Sequence, residues 1–207
     1  FVYVKKKNYL RLMGMNKQKV AVLDFGSQYT QLIARRIREQ NVYSEILPHT
    51  ITAEELNKKN VPAIILSGGP SSVYDKNAPQ VDPSILSMGI PVLGICYGLQ
   101  LMITQNGGNV THKGQGEYGF AKMHTVNESP LLTNLANESQ VWMSHGDEID
   151  SLGNGFEIIA QSSNDVIAAI HHKDQPLYGV QFHPEVIHTL EGETIISNFL
   201  FNIAQCR

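Results

Sequence analysis

Apolar positions fall into two rhythms along this chain. "KVAVLDF" (19–25), "PAIILSGGP" (62–70) and "PVLGI" (91–95) are short, nearly continuous apolar runs. That is the pattern of strands buried on both faces. "VYSEIL" (42–47) reads as a further strand. Between them the period lengthens to that of a helix. In "SQYTQLIARRIREQN", Tyr29, Leu32, Ile33 and Ile37 share one face, with Ser27 as the candidate N-cap. "TAEELNKK" predicts a short helix, "PSILSMG" a helical turn, and "YGLQLMITQNGG" a helix ending at Gly107. Alternating strand and helix with short links predicts an α/β fold: a mostly parallel central sheet with helices on both faces and right-handed crossovers.

The second half changes rhythm. "FAKMHTV", "QVWMSHGD", "FEIIAQS", "VIAAIHH" and "LYGVQFHPE" are short strand-like runs with few helical patterns between them. They predict a smaller antiparallel or mixed β extension. "GETIISNFLFNIAQ" closes the chain, with Ile195, Ile196, Phe199, Leu200 and Ile203 on one apolar face. No repeat, low-complexity stretch or flexible linker interrupts 19–207, so one domain is expected there.

Composition narrows the function classes. The 207 residues can bury a sizeable core. No run approaches about 18 consecutive apolar residues, so no transmembrane helix or membrane partner is expected. Two distant cysteines, Cys96 and Cys206, suit a reducing compartment and a cytoplasmic location better than a disulfide framework. The net charge of −3 hides an uneven spread. The first 19 residues hold Lys5, Lys6, Lys7, Arg11, Lys17 and Lys19; the rest carries ten basic against nineteen acidic groups, a net of −9. An acidic body argues against a nucleic-acid partner. Residues 1–18 lack the apolar core of about 7 to 15 residues that a signal peptide needs. They read as a leader or vector-derived extension with Met15 as the natural start, or else as a basic arm that touches a partner.

Candidate chemistry centres on "GICYGLQLM" (94–102). Cys96 falls where a strand turns sharply into a helix, and such carboxyl ends of strands collect functional groups in α/β sheets. Gly94-x-Cys96-x-Gly98 has the spacing of a nucleophile elbow, with sulfur replacing a hydroxyl. Amides at the helix start favour a thiolate. A cysteine in an apolar run is also at home as a small buried hydrophobe, so Cys96 needs partners. "GVQFHPEV" offers them: His183 as base and Glu185 as its orienter, stiffened by Pro184. A surface turn with a solvated Glu is the other reading. "LSGGP" (66–70) exposes backbone amides that, with the amide of Tyr97, suit an oxyanion hole, though Gly-Gly-Pro also serves as a plain turn. His171, His172, His183 and His188 lack zinc spacing, so no metal is expected. "SGGPSS" lacks the Lys-Ser/Thr of a phosphate loop.

"LSGGP", "GICYGLQLM" and "GVQFHPEV", in this order and rough spacing, resemble the class I glutamine amidotransferase family over residues 19 to 204. "VLDFGSQYTQLIARRIRE" and "VWMSHGDEI" resemble the branch that serves GMP synthesis. Anthranilate synthase subunits carry Leu-Gly-His where Tyr97-Gly98-Leu99 stands, and carbamoyl-phosphate synthetase subunits an Asn-rich segment in place of Ser144-His145-Gly146-Asp147. The resemblance implies that Cys96 attacks the side-chain amide of glutamine, that His183 moves the proton and that Glu185 orients His183. It implies oxyanion donors at Gly69 and Tyr97, and substrate contacts at Gly68, Gln100, Ser144, His145, Gly146 and Asp147. It also implies an ATP-pyrophosphatase (synthetase) partner, fused or separate, which uses ATP and Mg to aminate xanthosine monophosphate. No cofactor is then expected in this domain, and the chain is expected to be one cut from such a protein. The partner is expected to dock near Asp24 and the "GSQYT" turn. Rival expectations are a regulatory module on the same fold, an amidotransferase serving another synthetase, or a free-standing hydrolase of γ-glutamyl peptides.

Overall fold

A computed structural model describes residues 18–207, apart from the side chains of 113–115. The leader expectation therefore lies outside the described residues except at Gln18. Nine strands form one sheet: β1 (Lys19–Asp24), β2 (Tyr43–Pro48), β3 (Ile64–Leu66), β4 (Val92–Ile95), β5 (Asn109–Thr125), β6 (Glu138–Ser151), β7 (Phe156–Ser162), β8 (Ile167–His172) and β9 (Leu177–Val180). Their order is β2-β1-β3-β4-β9-β8-β7-β5-β6. The first five in that order pair in parallel. The pairings from β9 through β8, β7 and β5 to β6 are antiparallel. This is the expected α/β fold with its antiparallel extension. The extension is larger than the motifs suggested, because β5 and β6 run for 17 and 14 residues.

Successive residues of a buried strand supply two cores. Val20, Val22, Ile65, Leu93 and Ile95 face one side, where helix α1 (Thr30–Glu39) and the C-terminal helix α4 (Gly192–Ser197) cover them. Ala21, Leu23, Ile64, Leu66 and Val92 face the other side, under α2 (Ala53–Lys59), a 3-10 turn at Pro83–Ser87 and α3 (Tyr97–Gln105). After Ser197 the last helix widens into π-helical turns over Asn198–Ile203, and the Asn198 side chain donates to the carbonyls of Leu131 and Thr133.

Two local expectations change. Ser27 is not the N-cap of α1, which begins at Thr30. Its hydroxyl instead accepts from the Tyr29 amide at 3.0 Å, one turn early, while Asp24 accepts from Gly26 N and Thr30 Oγ1. Tyr29 then leaves the α1 core face, where Thr30, Ile33, Ala34 and Ile37 are buried. By contrast α2 has the full reciprocal cap: Thr52 accepts from Glu55 N, and the Glu55 carboxylate accepts from Thr52 N.

Candidate active site

Cys96 sits between β4 and α3 with φ 51° and ψ −107°, a conformation that costs about 1–3 kcal/mol for a residue with a side chain. The turn is held by packing. Cys96 N donates to Val180 O of β9 at 2.8 Å. A Cβ on Gly94 would lie 2.7 Å from Leu99 N, and one on Gly98 would lie 2.5 Å from Leu66 O. Both glycines are therefore required by close backbone approach: Gly94 lets α3 fold back over β4, and Gly98 lets α3 lie on β3. The thiol is buried, 3.7 Å from Ser144 O and 3.6 Å from the amide nitrogen of Gln181.

His183 lies three residues beyond β9, near the thiol. A Cβ placed on Gly68 would meet His183 Cε1 at 3.1 Å and Cys96 Cβ at 3.7 Å, so Gly68 leaves room for the two groups to meet. Glu185 is fully buried behind the imidazole, with its Oε1 2.8 Å from His183 Nδ1. Burial alone pulls His183 down, but hydrogen bonds to Cys96 and Glu185, with the charges of both, outweigh it and push it up to about 10. The arrangement stabilises an imidazolium between the Cys96 sulfur and the buried Glu185 carboxylate. Arg36 Nε donates to Glu185 O at 2.9 Å, tying the His-Pro-Glu turn to α1.

Gly69, Cys96, Tyr97 and His183 line a cleft of about 690 Å³. The Tyr97 amide is in the first turn of α3, where no helical carbonyl reaches it. Buried Ser67 sets the Gly68–Gly69 turn: its hydroxyl accepts from Phe25 N at 2.9 Å and donates to Gly68 O at 2.8 Å. Ser144, His145, Gly146 and Asp147 of β6 form the opposite wall. Gln100 also lines the cleft, but its amide nitrogen is engaged with Asp147 O at 2.9 Å and Gln181 Oε1 at 3.1 Å. His145 Nδ1 is 2.9 Å from Asp147 O; burial holds this imidazole below its ordinary value, against the pull of Asp147 and Glu117. Asp147 Oδ1 lies 3.1 Å from His112 Nδ1.

All the residues singled out from sequence thus converge, with Gly68 and Glu185 flanking the cleft instead of lining it. Further residues join them. Ser27, Gln28 and Tyr29 line the cleft, and the Tyr29 ring meets His183 edge-on at 5.3 Å. The "GSQYT" turn, expected near a docking surface, is therefore part of the cleft. Its position at the carboxyl end of β1, beside β3 and β4, was the signal that pointed there. Ser67 and Gln181 lie inside the LSGGP and GVQFHPEV motifs, but nothing local marks their own roles. Arg36 serves the His-Pro-Glu turn internally.

The model of the glutamine amidotransferase class-I family matches residues 21–203. The chain belongs to that family. This class-I glutamine amidotransferase is 52% identical over 193 residues to a "GMP synthase [glutamine-hydrolyzing]" of Thermosynechococcus vestitus, covering 93% of this chain and 36% of that protein. It is 52% identical over 196 residues to the protein of the same name from Synechocystis sp., covering 95% and 36%. It spans little more than a third of the length of these curated relatives. Among solved structures, one named for a GMP synthase component of Thermoplasma acidophilum superposes with a TM-score of 0.82 at 31% identity, covering 91% of this chain and 94% of that one. A glutamine amidotransferase of Thermotoga maritima shares the fold with a TM-score of 0.72 at 18% identity, covering 91% of this chain and 99% of that one. Among the described residues, no helix is long and apolar enough to cross a membrane.

Proposed function

We propose that this chain hydrolyses the side-chain amide of glutamine to glutamate and ammonia through a thioester on Cys96. The observation that carries the reading is the strained Cys96 elbow facing a cleft beside a His183–Glu185 pair 2.8 Å apart. The sulfur attacks the amide carbon of glutamine. The carbonyl oxygen becomes an oxyanion facing the amides of Gly69 and Tyr97, each such donor contributing about 2.7–4 kcal/mol. His183 gives its proton to the nitrogen as the C–N bond breaks, and ammonia leaves. A water then attacks the γ-glutamyl thioester while His183 takes its proton. The C–S bond breaks, glutamate leaves and the starting pair is restored. Splitting the reaction through a thioester replaces one hard step by two easier ones. Glu185 stabilises the imidazolium and fixes its tautomer. Ser144, His145, Gly146, Asp147, Gln100 and Gly68 shape the glutamine pocket.

The ammonia is used, in this reading, by an ATP- and Mg-dependent synthetase module, fused or separate, that converts xanthosine monophosphate to GMP. The names of the curated relatives, and the roughly two-thirds of their length that this chain does not span, support it. The enzyme would then work in purine nucleotide synthesis in the cytoplasm. The test is labelling with 6-diazo-5-oxo-norleucine, a reactive glutamine analogue, followed by peptide mapping. Label on Cys96 that excess glutamine blocks is expected. Label only in the presence of a synthetase and its substrates would mean the partner aligns the site. No label in either condition would overturn the reading in favour of a non-catalytic module.

A further inference from the structure

His183 has a positioning problem. It stands beyond the end of β9, so no sheet pairing of its own strand fixes its backbone. Its imidazole must nevertheless keep a fixed distance to Cys96.

The edge of the sheet supplies the fixing. β6 is the last strand, and its partner β5 lies on one side only. In an antiparallel pair, backbone groups alternate between facing the partner and facing away. At Trp142, opposite Phe120, both backbone groups face away and meet the turn that follows the triad. His183 N donates to Trp142 O at 3.0 Å. Trp142 N donates to Thr189 Oγ1 at 3.0 Å, and Thr189 Oγ1 donates to His183 O at 2.7 Å. Two residues along the same edge, Leu190 N donates to Gln140 O at 3.2 Å, and the Gln140 side chain donates to His188 O at 3.1 Å.

We infer that Thr189 is a positioning residue for His183: its hydroxyl closes a clasp that joins both backbone groups of His183 to Trp142 on the β6 edge. The inference rests on the proposed role of His183 as proton carrier. A hydroxyl accepts the Trp142 amide and donates to the His183 carbonyl through one oxygen. Thr189 is 4% exposed, so water does not replace it easily. Its branched side chain has little rotamer freedom to lose when the clasp forms. The same strand carries Ser144 to Asp147 on the cleft wall, so the clasp fixes His183 relative to the wall that faces Cys96.

The test compares Thr189→Val, which keeps the shape and removes both bonds, with Thr189→Ser, which keeps both. Inactivation by 6-diazo-5-oxo-norleucine is measured for its maximal rate and for the concentration giving half of it. The clasp predicts a maximal rate lowered about tenfold or more in the Val variant, half-saturation unchanged within about twofold, and recovery in the Ser variant to within about threefold of the parent. A Val variant with the parent's maximal rate would overturn the clasp while leaving the proposed function standing. A parent that never labels would overturn that function instead. If the Val variant does not fold, amide exchange of the parent decides: the clasp predicts that the Trp142 and His183 amides exchange slowly despite their place on a sheet edge, and fast exchange at both would sink it.

Discussion

The two halves of the sheet hold chemistry in different ways. In the parallel half, strands end together and hand the site backbone geometry: the elbow at Cys96, the Gly68–Gly69 turn and the free amide at the start of α3. These are fixed by close contacts within a few residues of a strand end, such as Gly98 against Leu66 O. In the antiparallel half, the long strand β6 crosses the site and lines it with residues from its middle, Ser144 to Asp147. One of its edges then holds the turn that carries His183. Cys96 is thus set by tight backbone packing between neighbouring strand ends, and His183 by hydrogen bonds from a sheet edge. A site built this way should lose its Cys96 geometry to a single methyl group, and its His183 geometry to the loss of one hydroxyl.

The comparison can be broken at graded sites. Cys96→Ala has the largest expected effect. Glutamine hydrolysis should fall by about 10⁴-fold or more, while the melting temperature moves by no more than a few degrees. Substantial residual ammonia release would remove the parallel half's claim to the chemistry. Gly98→Ala tests whether close packing fixes the elbow. Its Cβ would sit 2.5 Å from Leu66 O and 2.7 Å from Leu66 Cβ, and neither contact belongs to the far end of a flexible side chain. The cost should be about 3 kcal/mol in thermal or urea unfolding, with loss of Cys96 labelling. A neutral substitution would mean that the turn tolerates far more than this packing allows.

His183 gives a pH test at the junction of the halves. Its folded value is raised from 6.5 to about 10. Its contribution to stability is therefore complete below about pH 6.5 and is lost as the pH rises through about 10. The melting temperature of His183→Asn should lie below the parent's at about pH 7, and the gap should close above about pH 10. A gap that stayed constant would detach the imidazolium from the fold's stability. The smallest effect belongs to the outer face of the antiparallel half. Phe120 is 65% exposed against Trp142 and His188. Phe120→Ser should change stability by about 0.5 kcal/mol or less and leave Cys96 labelling intact. A larger loss of labelling would show that this surface reaches the site through Trp142.

Much of this was written locally. The buried strands of the parallel half show as unbroken apolar runs, and the elbow shows as a cysteine flanked by glycines, because sharp turns and close approaches demand particular residues at fixed offsets. The His-Pro-Glu turn is legible for the same reason. Ser27 misled because a hydroxyl before an apolar stretch serves a helix cap and an earlier turn equally well. The reach of β5 and β6 was shortened because their alternation is interrupted, with a register shift between His112 and Glu117.

Tertiary structure alone decided which groups meet. Nothing in the sequence assigns Ser67, Gln181, Tyr29 and Thr189 their partners, yet one orients the Gly68–Gly69 turn, one lies against the thiol, one packs on His183 and one closes the clasp. Hydrogen bonds from a sheet edge to a distant turn depend on where the chain arrives in space, not on the residues beside it. The sequence determined a glycine-flanked thiol and a candidate base; only the fold, by bringing β6 alongside the end of β9, set the geometry in which they work together.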